Sequence, residues 1–111
     1  MGITRTDLFT EKQNELAQVA KALAHPARIA ILQFLIRTEG CINNDLVEEL
    51  GLAQPTISQH LRELKEIGII QGTIEGTKMN YCINLSRWLE INDQFNQLFR
   101  SYDPPAGSHC C

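Results

Sequence analysis

The segment from Gly51 to Gly68, GLAQPTISQHLRELKEIG, constrains the fold more than any other part of the chain. Gly51 closes one short helix, and Pro55 opens the next where its missing N–H is no loss. Ile57, Leu61, Leu64 and Ile67 then recur at helical spacing, the buried stripe of an amphipathic helix. The opposite face carries Thr56, Gln59 and Arg62, with Ser58 and His60 on its flanks. Hydroxyls, amides and a guanidinium are groups that bond to base edges and phosphates. A plain surface helix carries more Lys/Glu pairs over its N-terminal half. The pattern therefore predicts a helix that reads DNA rather than one that is merely packed.

Residues 68 to 85 sharpen the expectation. Gly68 stops the helix, and IIQGTIEGTKMNYCINL supplies two strand-forming runs around Glu75, Gly76 and Thr77. In the first, Ile70 and Ile74 flank polar Gln71, Thr73 and Glu75. In the second, Met79, Tyr81, Ile83 and Leu85 alternate with Lys78, Asn80, Cys82 and Asn84. Alternation around a glycine-containing turn is a β-hairpin signal. A hairpin directly after a recognition helix is the wing of a winged helix-turn-helix. The fold class expected is mainly α with a small β-hairpin: five helices and a two-stranded antiparallel wing.

Upstream, Thr10 and Gln13 have capping-box spacing and open a helix carrying Leu16, Val19, Ala20 and Leu23, ending near Ala24. Pro26 opens a second helix, apolar over most of its circumference from Ile29 to Ile36 and so expected at the centre of the core. Asn43 or Asn44 is placed to cap a short third helix holding Leu46, Val47 and Leu50. Beyond the wing, Asn84 or Ser86 caps a last helix with Trp88, Ile91, Phe95, Leu98, Phe99 and Tyr102. That aromatic density, in a chain only 6% aromatic, predicts a subunit interface on the last helix at Trp88, Phe95, Leu98 and Phe99. The expected organisation is one DNA-binding and dimerisation domain over 1–103 and a flexible cysteine-bearing tail over 104–111.

A chain of 111 residues, 43% apolar and 21% charged, makes one domain that buries roughly two-thirds of its unfolded surface. No apolar run has membrane-spanning length and the N-terminus lacks signal-peptide features, so a cytoplasmic protein with no membrane partner is expected. The formal net charge of −3 opposes phosphate binding, yet its distribution matters more than its total. Between Gln54 and Asn80, Arg62, Lys65 and Lys78 balance Glu63, Glu66 and Glu75. A neutral reading face predicts modest non-specific affinity, with amides, hydroxyls and helix N-termini carrying more than usual. Dispersed histidines and the lack of a Gly-rich phosphate loop argue against an enzyme. A protein-interaction module on the same fold is the alternative that the acidic balance would suit.

Three stretches resemble the ArsR/SmtB family of small dimeric winged-helix repressors that sense metals, metalloids or redox state. They are Ala22 to Leu32 (ALAHPARIAIL), Asp45 to Leu64 (DLVEELGLAQPTISQHLREL) and Gly68-Ile69-Ile70. With the wing they span residues 22 to 85, a little over half of the chain. The resemblance implies a homodimer built from the first and last helices, which adds Leu16 to the interface, bound to a palindromic double-stranded DNA operator. It places DNA contacts at Gln54, Thr56, Ser58, Gln59, His60 and Arg62, with Lys78 on the wing. Many relatives have Ser before the Gln-Pro pair; here Ala53 stands there, leaving Gln54 or water to cap the helix.

The family's sensor patterns test the effector. Its thiolate site on helix three, Cys-x-Cys-Asp-Leu, falls here on Ile42 and Asn44, with Cys41 one residue early. Its zinc site on the last helix needs histidine, and Ser86 to Tyr102 has none. Four cysteines remain, Cys41, Cys82, Cys110 and Cys111, expected as thiols in a cytosolic chain. Adjacent thiols on a polar tail add nothing to a core and suit a thiophilic ion such as As(III) or Sb(III), which takes up to three sulfurs. Cys41, Cys82 or a partner cysteine could supply the third. No organic cofactor is expected. The alternative signal is an oxidant or reactive sulfur that pairs Cys41 with a C-terminal cysteine.

Overall fold

The computed structural model describes residues 8–43, 46–75 and 78–107. The elements are α1 (Glu11–Ala22), α2 (Pro26–Arg37), β1 (Cys41–Asn43), α3 (Leu46–Leu50), α4 (Gln54–Glu66), β2 (Ile70–Glu75), β3 (Lys78–Ile83) and α5 (Leu85–Arg100). Four helices thus run for 12 to 16 residues, and α3 is a single turn of 5.

Local chemistry sets the boundaries. The Thr10 hydroxyl accepts from the Gln13 amide at 3.1 Å while the Gln13 side chain accepts from Thr10 N–H at 3.0 Å, closing the capping box of α1. Pro26 and Pro55 both sit in first turns, whose N–H groups lie outside the helical ladder. Asn84, the N-cap of α5, accepts from Arg87 N–H.

The sheet departs from the expected two-stranded wing. It has three antiparallel strands in the order β1-β3-β2. Three residues around Cys41 are too few to show a period-two pattern, and β1 gains its strand geometry only by pairing with β3. Asn43 therefore lies in a strand rather than capping α3, and Asn44 falls outside the described residues. Leu85, expected to continue the strand alternation, instead starts α5 and is 65% exposed.

The core is continuous from α1 to the sheet. Val19, Ile31, Leu35, Leu46, Ile57, Leu61, Leu64, Ile70 and Tyr81 are almost wholly buried. Each such side chain contributes roughly 1.5–3 kcal/mol from removal of apolar surface. The α2 helix buries Ile31, Leu32 and Leu35, as a central helix should, but leaves Ile29 and Ile36 exposed. The radius of gyration, 17.1 Å, exceeds the ~13 Å of a compact chain of this length. No single helix among the described residues is long and apolar enough to cross a membrane.

Candidate nucleic-acid interface

The exposed side of α4 carries Pro55, Thr56, Gln59, Arg62, Lys65 and Glu66, while Ile57, Leu61 and Leu64 face the core. Thr56, Gln59 and Arg62 at three-residue steps make one outward row. Arg62 makes no hydrogen bond or ion pair among the described residues, so its guanidinium can reach a phosphate or guanine edge. Gln59 donates its amide to Glu63 at 3.3 Å, a contact it must exchange to read a base. No side chain caps the helix, whose N-cap is Ala53. An N-terminus of this kind favours a phosphate oxygen.

Two of the expected contacts are placed differently. Ser58 is 5% exposed and lies 3.4 Å from the Gln54 amide, so its hydroxyl belongs to the packed side of the helix. A step of four from Gln54 and one from Ile57 carries it past the edge of the outward face. His60 is half-buried, with its ring engaged from behind. Arg28 on α2, only 8% exposed, donates from Nε to His60 Nδ1 at 3.0 Å and from Nη1 to the Ala22 carbonyl at 3.0 Å. An Nδ1 that accepts from a guanidinium has no proton, so the ring is neutral with its proton on Nε2. Burial, then the charge of Arg28, then His25 hold the His60 pKa below its ordinary value. The His25 ring lies 5.8 Å from that of His60.

Arg28 and His25 thus join the end of α1, the start of α2 and α4. In the sequence His25-Pro26 reads only as punctuation. The signal that could have found the brace is an arginine on the most apolar helix, since an unpaired buried guanidinium is strongly unfavourable.

The wing is aimed by α4. Lys65 Nζ donates to the Gly72 carbonyl of β2 at 2.6 Å, and Ile70 and Ile74 are buried beneath. Gly72 pairs with Tyr81 at φ 133°, and a Cβ there would come within 2.1 Å of the Asn80 carbonyl oxygen. Only glycine lets the strands approach so closely. Lys78 opens β3 opposite Glu75 in register.

At its C-terminal end α4 is tied to α5. Arg87 donates to the Ile67 carbonyl at 2.9 Å, pairs with Glu90, and lies 3.4 Å from Glu15 of α1. Its stem packs against Gly68, where a Cβ would sit 3.3 Å from Arg87 Cγ. Gln94 donates to Glu15 at 2.7 Å, extending the α1–α5 seam.

On the expected interface, Trp88 and Phe95 are partly buried against the chain's own core, and Leu16 is half-buried. Leu98 and Phe99 remain 51% and 71% exposed, as do Leu89 and Tyr102 to similar degree.

Cys41 and Cys82 face each other across β1 and β3, with Cα atoms 4.0 Å apart, and are joined as a disulfide rather than standing as separate thiols. Cys41 is therefore paired within the sheet. Cys110 and Cys111 lie outside the described residues, and no metal-binding group of three His, Cys, Asp or Glu occurs among the described ones.

The model of the arsR family of bacterial regulatory proteins matches residues 25–71, from His25 through the recognition helix into β2. Over 81 residues the chain is 38% identical to an uncharacterised HTH-type transcriptional regulator of Methanocaldococcus jannaschii, spanning 73% of this chain and 91% of that one. The chain belongs to the arsR family. Among further relatives of this arsR protein, the probable mercury resistance operon repressor of Streptomyces lividans is 36% identical over 75 residues, 68% of this chain and 59% of that one. The crystal structure of the transcriptional repressor BigR from Xylella fastidiosa superposes with a TM-score of 0.58 at 27% identity, covering 92% of this chain and 100% of that one. An arsR-family protein is a DNA-binding transcription regulator, and the arrangement of α4 and the wing is the part of this one suited to a groove.

Proposed function

We propose that the protein is a homodimeric, cytoplasmic repressor that binds a palindromic operator with α4 in the major groove and Lys78 beside it. The observation that carries this is the outward row Thr56, Gln59 and Arg62 on a helix fixed from behind by Arg28 and His60. Dimerisation through α1 and α5 accounts for Leu98 and Phe99, which this chain alone leaves in water. It also accounts for the extended shape. Two copies would set recognition helices about one helical turn apart, ~34–36 Å. A neutral reading face predicts a shallow salt dependence.

The signal in this proposal is a thiophilic ion, arsenite or antimonite first, bound by Cys110 and Cys111 with a third thiolate. Adjacent thiols and the name of the Streptomyces relative support it. Cys41 or Cys82 can serve as that third ligand only after their bond is reduced. Arg87 offers the route of transmission: it belongs to α5, touches α1, and holds the carbonyl of Ile67, the C-cap of α4. A coupling of ~1–3 kcal/mol along it would lower operator affinity roughly 5- to 150-fold. Titrating arsenite against the reduced protein on a fluorescent operator duplex tests this. Release that persists in the Cys110→Ser, Cys111→Ser double variant removes the tail as sensor.

A second reading keeps the repressor and makes the signal a thiol oxidant or reactive sulfur. The disulfide between Cys41 and Cys82 is the observation that favours it.

A further inference from the structure

We propose that Cys41 and Cys82 are a reversible dithiol–disulfide site whose bond locks the edge strand β1 onto the wing and holds the DNA-reading unit in register. The register makes them direct partners, and the Ile83 N–H to Gly40 O bond at 2.7 Å lies immediately beside them. That places the pair at a non-hydrogen-bonded position, where opposed side chains of an antiparallel ladder come closest. Both face away from the core. Ile42 and Tyr81, their neighbours in sequence, are buried, whereas Cys41 is exposed and Cys82 half-buried. On its other side Cys82 pairs with exposed Gln71. An oxidant or a small thiol can therefore reach the sulfurs without opening the fold.

The position in the chain gives the bond its consequence. Residues 41 and 82 bracket α3, α4, β2 and all of β3 but Ile83, so the bond closes the helix-turn-helix and nearly the whole wing into one loop. β1 is only three residues long. Without the cross-link its pairing is the weakest part of the sheet, and the α2–α3 connection gains freedom relative to the wing. Oxidation thus pre-organises the reading unit, and reduction loosens it.

The chemistry balances with a hydroperoxide as oxidant. One thiolate attacks the peroxide oxygen, giving a sulfenic acid and an alcohol. The second thiol displaces water from that sulfur, forming the S–S bond with loss of two electrons and two protons from the pair. A small dithiol reverses it by exchange.

The inference rests on the repressor reading for its DNA readout alone. The full-length protein is treated with cumene hydroperoxide, then with dithiothreitol, and mapped by non-reducing peptide mass spectrometry. A Cys41–Cys82 linked peptide that forms and disappears is expected; linkage of Cys41 to Cys110 or Cys111 instead overturns the proposal. Amide hydrogen exchange of Ile42 and Ile83 should quicken at least fivefold on reduction, and equal exchange in both states also overturns it. On a duplex selected by the oxidised protein from a random pool, oxidised wild type should bind at least fivefold more tightly than reduced. Cys41→Ser and Cys82→Ser should each bind like the reduced form under both conditions. If no duplex is selected, the repressor reading fails, while mapping and exchange still decide the dithiol site.

Discussion

Replacing Arg28 with Met keeps the aliphatic stem but removes the guanidinium that joins α1, α2 and α4. Two hydrogen bonds disappear, to the Ala22 carbonyl and to His60 Nδ1. Bonds from a charged donor contribute about 1.5–3 kcal/mol each. Against that, the variant no longer holds a guanidinium out of water, which recovers part of the loss. The net destabilisation should be about 2–4 kcal/mol, a large share of the ~5–15 kcal/mol available to a domain. Urea denaturation at fixed protein concentration measures it, and the midpoint should fall with the slope unchanged. Because the Arg28 charge is one of the causes that lower the His60 pKa, the His60 resonance should titrate at higher pH in the variant. Burial remains, so the pKa should not return fully to its ordinary value. Stability within ~0.5 kcal/mol of wild type, together with an unchanged His60 titration, would refute the account of Arg28 as the brace of the recognition helix.

Other perturbations act on the same contacts. Acidification should destabilise the native protein through His60. Its folded pKa is lowered, so its contribution is present above the unfolded value of ~6.5 and lost as pH falls through the folded one; melts between pH 7.5 and 5 test this against His60→Gln, in which that slope should shrink. Gly72→Ala places a methyl against the Asn80 carbonyl and should cost about 2–3 kcal/mol or unpair the wing, seen as lost exchange protection in β2 and β3. Arg62→Ala should weaken operator binding and lower the salt slope by about one per subunit, if it meets a phosphate; an unchanged slope with altered base preference would place it on a base edge instead. Arg87→Gln should leave operator binding close to wild type but shrink the arsenite response by about 0.5–2 kcal/mol, measured as the ratio of affinities with and without the ion.

Short-range periodicity made most of the architecture legible. The stripe Ile57, Leu61, Leu64 and Ile67 fixed the inward side of α4, and three of the four are fully buried. The capping residues Thr10 and Asn84 and the prolines at 26 and 55 marked helix starts through backbone chemistry that needs no distant partner. The outward row of Thr56, Gln59 and Arg62 could be read for the same reason, because a helix converts spacing directly into a face. Ser58 could not. It sits at the margin of that face, and how Gln54 and α4 dock decides on which side a marginal residue falls.

Contacts between elements emerged only once the chain was folded. β1 exists because β3 pairs with it, which no window around Cys41 could show. Cys41 and Cys82 are 41 residues apart in sequence, and only the strand register brings them together. Arg28 and His60, 32 positions apart, meet because α2 packs against α4. Helical and strand periods are written along the chain, whereas contacts across it depend on how closed loops bring distant faces into register. Local patterning therefore settled the main helices, the hairpin and the outward row of α4. Packing supplied the brace behind that row and the cysteine pair beside it.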